Sequence, residues 1–122
     1  MVASTIAFEA PVTERSPFAA RARPVDLVHL AGRSLGDANL EAEALQMFVR
    51  QARNSLREMG KGDPALAAAA ARRLREAASA VGAFQVAETA GCVEANAADA
   101  GGLAKLGADL LEAENFILKL CR

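Results

Sequence analysis

Alanine is the residue that most constrains how this chain folds. Thirty of the 122 residues are alanine, whereas Tyr and Trp are absent and Phe occurs five times. Alanine has the highest helix propensity and contributes little to strands, so the composition predicts an all-α fold. Because few side chains are large, the helices are expected to approach one another closely. The length is that of one domain with a single core.

The first two predicted helices are separated by Gly36. Pro24 opens a short helix that runs to about Ser34. Four of its apolar residues share one side: Leu27, Val28, Ala31 and Leu35. Asp37 is the predicted N-cap of a long helix that runs to Met59. Apolar residues recur every four positions along it, at Leu40, Ala44, Phe48, Ala52 and Leu56, and together with Leu45 and Met59 they predict one buried stripe.

Three further helices are predicted in the second half of the chain. Asp63-Pro64 caps and starts a third helix, which runs to about Val81 and ends at Gly82. Its predicted inner face consists of Ala67, Ala70, Ala71, Leu74, Ala77, Ala78 and Val81. A fourth helix is predicted from Phe84 to Ala97, residues 99–102 form a turn, and a fifth helix carries Leu103 to Leu120. The expected fold is an antiparallel four-helix bundle preceded by a short lead-in helix.

The N-terminal residues show no sustained periodicity of apolar side chains. Residues 1–23 contain Pro11, Pro17 and several small polar residues, which predicts a flexible leader. Phe8 or Phe18 can pack onto the helical body. The predicted organisation is therefore a leader over residues 1–23 and a helical bundle over residues 24–122.

Charge and hydropathy exclude several classes of function. The net charge is −1, with no basic stripe and no set of aromatic residues, so nucleic-acid binding is not expected. The longest apolar run, Ala65 to Ala71, is too short for a membrane span, and the N-terminus lacks the pattern of a secretory signal. Cys92 and Cys121 are isolated and are expected to be reduced. We therefore expect a cytoplasmic protein that binds no membrane.

The residues needed for catalysis or metal binding are scarce. His29 is the single histidine, and it is predicted to be a half-exposed structural residue between Val28 and Leu30. One histidine and two scattered cysteines supply neither a metal site nor a nucleophilic triad. Gly60-Lys61-Gly62 is short and follows no strand, so it is not a phosphate-binding loop. The expectation is a protein with no enzymatic activity, no metal and no cofactor.

Several short segments match, in order, those of a known family. The first segment is Leu35-Gly36-Asp37, followed by Leu40, Leu45 and Phe48. The second is Gly62-Asp63, followed by an alanine-rich stretch. The third is Ala71-x-x-Leu74, followed by Ala77 and Val81-Gly82-Ala83. Ala87, Cys92 and Glu94 follow at matching positions. In this order and spacing, residues 24–120 resemble a histidine-phosphotransfer domain. The resemblance implies a helical bundle that exchanges phosphoryl groups with receiver domains.

The motif of that family, His-x-x-Lys-Gly, is replaced at all three of its specific positions. Arg72, Arg75 and Glu76 stand there in this chain. Phosphoryl transfer requires an imidazole lone pair, whereas a guanidinium stays protonated and has no acceptor lone pair. The resemblance implies that Arg75 keeps the positive charge of the lysine. It also implies that Glu76 fills the space that the glycine leaves for a receiver. The site is therefore expected to carry no phosphoryl group.

Two interpretations of the charged residues remain open. Arg72, Arg75, Glu76 and Ser79 share one face of a helix, where Arg72 and Glu76 form an ion pair four residues apart. In one interpretation these residues only form a charged, solvent-exposed side of the helix and bind no partner. In the other, the two arginines reach the acidic pocket of a receiver domain, as bidentate hydrogen bonds to carboxylate or phosphate allow.

The resemblance predicts a pseudo-phosphotransfer protein. It binds a receiver domain or a histidine kinase and modulates signalling without carrying phosphate. Two alternatives are an active relay intermediate that uses His29 and a helical adaptor that oligomerises through residues 65–80. The expected oligomeric state is a monomer or a weak homodimer.

Overall fold

The computed structural model describes residues 23–121, and this part of the chain contains five α-helices and no strand. They are α1 (Leu27–Ser34), α2 (Ala38–Met59), α3 (Pro64–Val81), α4 (Phe84–Ala95) and α5 (Ala100–Leu120). The prediction of an all-α fold is confirmed. None of the described helices combines the length and the apolar character that a membrane crossing requires. Residues 1–22 of the predicted leader, with Phe8 and Phe18, lie outside the described residues.

Aspartate carboxylates start four of the five helices. The side chains of Asp37 and Asp63 accept hydrogen bonds from backbone N–H groups at the start of α2 and α3, so both predicted caps are confirmed. Asp26 caps α1 in the same way, and Asp99 caps α5. These two caps correct the predicted bounds. α1 begins at Leu27 rather than at Pro24, and Gly101 and Gly102 lie in the first turn of α5 rather than in a preceding turn.

The predicted apolar side of α1 is wrong. Val28, Ala31 and Leu35 are exposed, whereas Leu30 is buried and Leu27 is partly buried against the core. The start of α1 is held against the turn between α3 and α4, since the backbone N–H of Asp26 donates to the Gly82 carbonyl and Val25 is buried, and in this position Leu27 and Leu30 face the core. At the end of α1, the Ser34 hydroxyl lies 3.0 Å from Oε2 of Glu41 and connects α1 to α2.

Successive helices pack against one another along the chain. α2 contacts α3, α3 contacts α4, α4 contacts α5, and α5 also contacts α2. The buried stripe of α2 consists of Leu45, Phe48, Ala52 and Met59. The predicted stripe was wrong at Leu40, which is exposed at the N-terminal end of the helix. α4 ends at Ala95, two residues before the predicted Ala97.

The inner face of α3 is built mainly from alanine. Its buried residues are Ala67, Ala70, Ala71, Leu74, Ala78 and Val81. All of them belong to the predicted inner face, and Ala77 is partly buried beside them. Because these side chains are small, α3 is buried between α2 and α4 without large side chains to separate the helices.

Gly82 joins the start of α1 to the turn between α3 and α4. Its carbonyl accepts a 2.8 Å hydrogen bond from the backbone N–H of Asp26, and its φ angle is +87°. A Cβ atom at this position would lie 2.9 Å from the carbonyl oxygen of Asp26. Glycine is therefore required here for two reasons, its conformation and the close approach of another backbone segment.

We expect Gly82→Ala to lower the free energy of unfolding by about 3 kcal/mol, because it adds a backbone clash to the left-handed conformation. Gly62→Ala is the matched control. Gly62 has a φ angle of +88°, but nothing lies within 4 Å of an added Cβ. This control is expected to cost only about 1 kcal/mol. Urea unfolding followed by circular dichroism measures both values, and equal costs would contradict the role assigned to the Asp26 contact.

Candidate functional site

The outward side of α3 presents the residues that the sequence singles out. We call Arg72, Arg75, Glu76 and Ser79 the α3 outer face. Arg72, Glu76 and Ser79 are exposed, and Arg75 is partly buried. Leu74 and Ala78 lie on the opposite side of the helix and are buried in the core. The helical repeat thus places the four residues together because alanines occupy the sides that face α2 and α4.

Arg72 is only loosely paired on this face. Its Nε lies 3.7 Å from Oε2 of Glu76, and the two side chains are 66% and 63% exposed. An exposed pair at this spacing, with Arg before Glu, contributes little to stability. The guanidinium of Arg72 therefore has donors available for a partner.

Arg75 makes a closer contact across two helices. Its Nε donates a 3.0 Å hydrogen bond to Oε1 of Glu94 on α4, and the side chains are 42% and 31% exposed. An added Cβ at Gly91, one turn before Glu94, would lie 3.4 Å from Cδ of Arg75, so the arginine side chain packs directly against α4. Part of the hydrogen-bonding capacity of Arg75 is therefore used within the protein.

An open groove lies between α2 and α3, beside the α3 outer face. It has a volume of about 760 Å³. Its lining residues are polar or small: Gln51, Asn54, Ser55, Glu58, Arg73, Glu76 and Ala77. Sequence reasoning did not single out Arg73, which is one position away from Arg72 and lines this groove. Glu76 belongs to both the groove and the outer face, so the two surfaces are continuous.

His29 lies apart from the α3 outer face. Its ring packs edge-on against Phe84, with the ring centroids 5.1 Å apart and an angle of 73° between the planes. The Nε2 atom is buried without a hydrogen-bond partner, and the residue as a whole is half-buried. Phe84 follows the C-terminal end of α3, whereas Arg72 is ten residues, or about 15 Å, from Gly82 along that helix. The fold does not bring the histidine to the arginines.

A buried polar cluster between α4 and α5 was missed in the sequence. The carboxylate of Asp109 is buried and accepts a hydrogen bond of 2.6 Å from the Thr89 hydroxyl and one of 3.2 Å from the Gln85 amide. Nζ of Lys105 lies 3.4 Å from the same carboxylate. The available signal was the position of Asp109, which lies among the apolar residues Leu106 and Ala113 at helical spacing. The cluster connects α4 to α5.

The remaining candidate ligands are dispersed. Cys92 is exposed and Cys121 is partly buried, and neither forms a disulfide. Within residues 23–121, His, Cys, Asp and Glu side chains form no group of three or more that is suited to a metal ion.

Comparisons with known proteins do not assign a family. No family model matches the chain, and no curated protein or solved structure matches it.

We expect Thr89→Val to lower the free energy of unfolding by about 1–2 kcal/mol, because it removes the closest donor to the buried Asp109 carboxylate without changing side-chain volume. Thr89→Ser keeps the hydroxyl and is expected to restore most of that loss. Urea unfolding of both variants measures the difference. A valine variant as stable as the unmodified protein would contradict the stabilising role of this hydrogen bond.

Proposed function

We propose that this protein binds a receiver domain or a histidine kinase of a bacterial two-component phosphorelay. In this proposal it modulates signalling and carries no phosphoryl group itself. The observation that carries the proposal is Arg72, which stands at the position of the phospho-accepting histidine in the resemblance and is exposed at the N-terminal end of the α3 outer face. The protein acts by occupying a partner surface in the cytoplasm, without enzymatic activity or a cofactor.

The helix packing is compatible with the fold that this proposal requires. α2, α3, α4 and α5 contact one another in sequence, and α5 returns to α2. We propose that these four helices form an antiparallel bundle of the histidine-phosphotransfer type, with α1 as the lead-in helix. In such a bundle the docking surface is an exposed helix side that rigid neighbouring helices support. The α3 outer face has this support from α2 and α4.

Arg72 suits an acidic partner surface. A receiver domain presents carboxylates around its phosphorylated aspartate. A guanidinium can donate two parallel hydrogen bonds to a carboxylate or a phosphate. Its donors are only loosely engaged by Glu76, so little is lost when a partner replaces that contact. The same guanidinium cannot attack a phosphoryl group, because it has no free lone pair at ordinary pH.

The other residues of the face are assigned supporting roles. Arg75 supplies positive charge beside Arg72 and is held in position by Glu94. Ser79 supplies a small hydroxyl one turn further along the helix. Glu76 places a carboxylate beside both arginines and selects against a partner with negative charge at that point. The groove behind Glu76 offers polar groups to the edge of the same partner.

A binding measurement tests the role of Arg72. Isothermal titration with the receiver domains and histidine kinases of the same cell is expected to identify a partner. Arg72→Ala then raises its Kd about tenfold, and Arg75→Ala raises it less because Arg75 is already paired. Arg50→Ala is the matched control, since it removes the same charge from an exposed position on α2 that lies outside the α3 outer face and the groove. Binding to none of these proteins, or equal effects at Arg72 and Arg50, would count against the proposal.

A phosphotransfer assay tests whether the protein is unable to accept a phosphoryl group. Incubation with phosphorylated receivers is expected to give no acid-labile phosphorylation of the unmodified protein. The triple variant Arg72→His, Arg75→Lys, Glu76→Gly restores an imidazole at this position and is expected to accept a phosphoryl group. Transfer to the unmodified protein that is lost in His29→Ala would instead support the active relay intermediate.

A further inference from the structure

The outward side of α5 is apolar where a solvent-facing helix side is ordinarily charged. Its centre contains residues at alternating spacings of three and four: Gly101, Ala104, Ala108, Leu111, Asn115 and Leu118. All are exposed, and Leu111 and Leu118 are exposed by 60% and 54%. We call these six residues the α5 seam. By contrast, the outward sides of α2 and α3 carry charges such as Arg50 and Arg72. Alternating spacing of three and four is the pattern by which two helices pack side by side.

The seam divides into a half of small residues and a half of large ones. Gly101, Ala104 and Ala108 form the N-terminal half, whereas Leu111, Asn115 and Leu118 form the C-terminal half. A second copy of α5, running antiparallel, places each large residue opposite a small one. The matched pairs are Leu111 with Ala108, Asn115 with Ala104, and Leu118 with Gly101 of the second copy. From the residue spacing we propose that the protein forms a two-fold homodimer through antiparallel packing of the α5 seams.

Charges beside the seam favour the same arrangement. Lys105 and Glu112 are exposed on one edge of the seam. In the antiparallel register, Lys105 of one copy lies within about half a turn of Glu112 of the other, which gives two attractive pairs in each dimer.

The opposite edge of the seam contains Glu114, whose carboxylate pairs with the guanidinium of Arg53 on α2 and raises the pKa of that arginine. Across the proposed interface, Glu114 faces Gly107 of the second copy rather than another carboxylate. Within residues 23–121, an added Cβ at Gly107 meets nothing within 4 Å, so this position leaves space for a partner.

The proposed dimer goes beyond the proposed function and does not depend on it. α3 and α5 each pack against α2 and α4, so they lie on opposite sides of the helical assembly. Packing through the α5 seam therefore leaves the α3 outer face free in both copies. The dimer presents two such faces, one on each end.

Sedimentation equilibrium of the full chain over a range of concentrations tests the dimer. The unmodified protein is expected to show a monomer–dimer equilibrium. Leu111→Glu and Leu118→Glu are each expected to raise the dimer Kd about 100-fold. The dimer buries two copies of each leucine, and the loss of each copy is expected to raise the Kd about tenfold. Leu40→Glu is the matched control, because Leu40 is similarly exposed on α2, outside the seam. Circular dichroism checks that all variants keep their helical content.

A monomer at all concentrations, or equal weakening by Leu40→Glu, would overturn the proposal. Cross-linking tests the orientation in a background of Cys92→Ser and Cys121→Ser. A mixture of Ala104→Cys and Asn115→Cys chains is expected to join through a short bifunctional maleimide, whereas Ala104→Cys chains alone are not. Efficient self-linking of Ala104→Cys chains would instead show parallel packing and overturn the antiparallel arrangement.

Discussion

The alanine face of α3 is the contact on which the rest of the structure depends. Ala70, Ala71 and Ala78 are completely buried, and Leu74 is the large residue among them. Small side chains let α2 and α4 lie close on both sides of α3, so the helix is held along its length. A helix held on two sides has one narrow strip left for solvent. That strip is the α3 outer face, and its position follows from the packing of the opposite side.

The proposed recognition site differs from the one that the motif positions suggest. The family resemblance treats the residues at the histidine and lysine positions as a pair facing a receiver. In the structure Arg72 is the more available of the two, because Nε of Arg75 donates a hydrogen bond to Glu94 on α4, whereas Nε of Arg72 lies 3.7 Å from Glu76. In the proposal Arg72 is therefore the main contact for a partner, and Arg75 also connects α3 to α4. The adjacent groove adds Arg73 and Glu76 to the surface that a partner meets.

Local signals in the sequence predicted most of the helices but fewer of the faces that they bury. The starts of α2 and α3 could be predicted from Asp37 and Asp63, because a cap is a hydrogen bond between a side chain and a backbone N–H group at most three residues away. In α2 and α3 the apolar positions recur over many turns, so one wrongly assigned residue does not change which side of the helix is predicted to be buried. In α1, with eight residues, the apolar pattern is too short to fix the buried side, which lies at Leu27 and Leu30 in the structure. The Asp109 cluster was missed because two of its donors, Thr89 and Gln85, lie on another helix, twenty or more residues away.

The sequence by itself determined that the chain is helical, where the long helices begin, and that Arg72 cannot act as a phosphoryl acceptor. These properties depend on propensity, on capping and on the chemistry of one side chain, which are all local. Only the tertiary structure decided that Arg75 is paired with Glu94, that the His29 ring packs beside Phe84, and that the apolar side of α5 is exposed within the part of the chain that the structure describes. Each of these depends on which helices become neighbours. That choice is made by the summed packing of all the inner faces and is not encoded in any single segment.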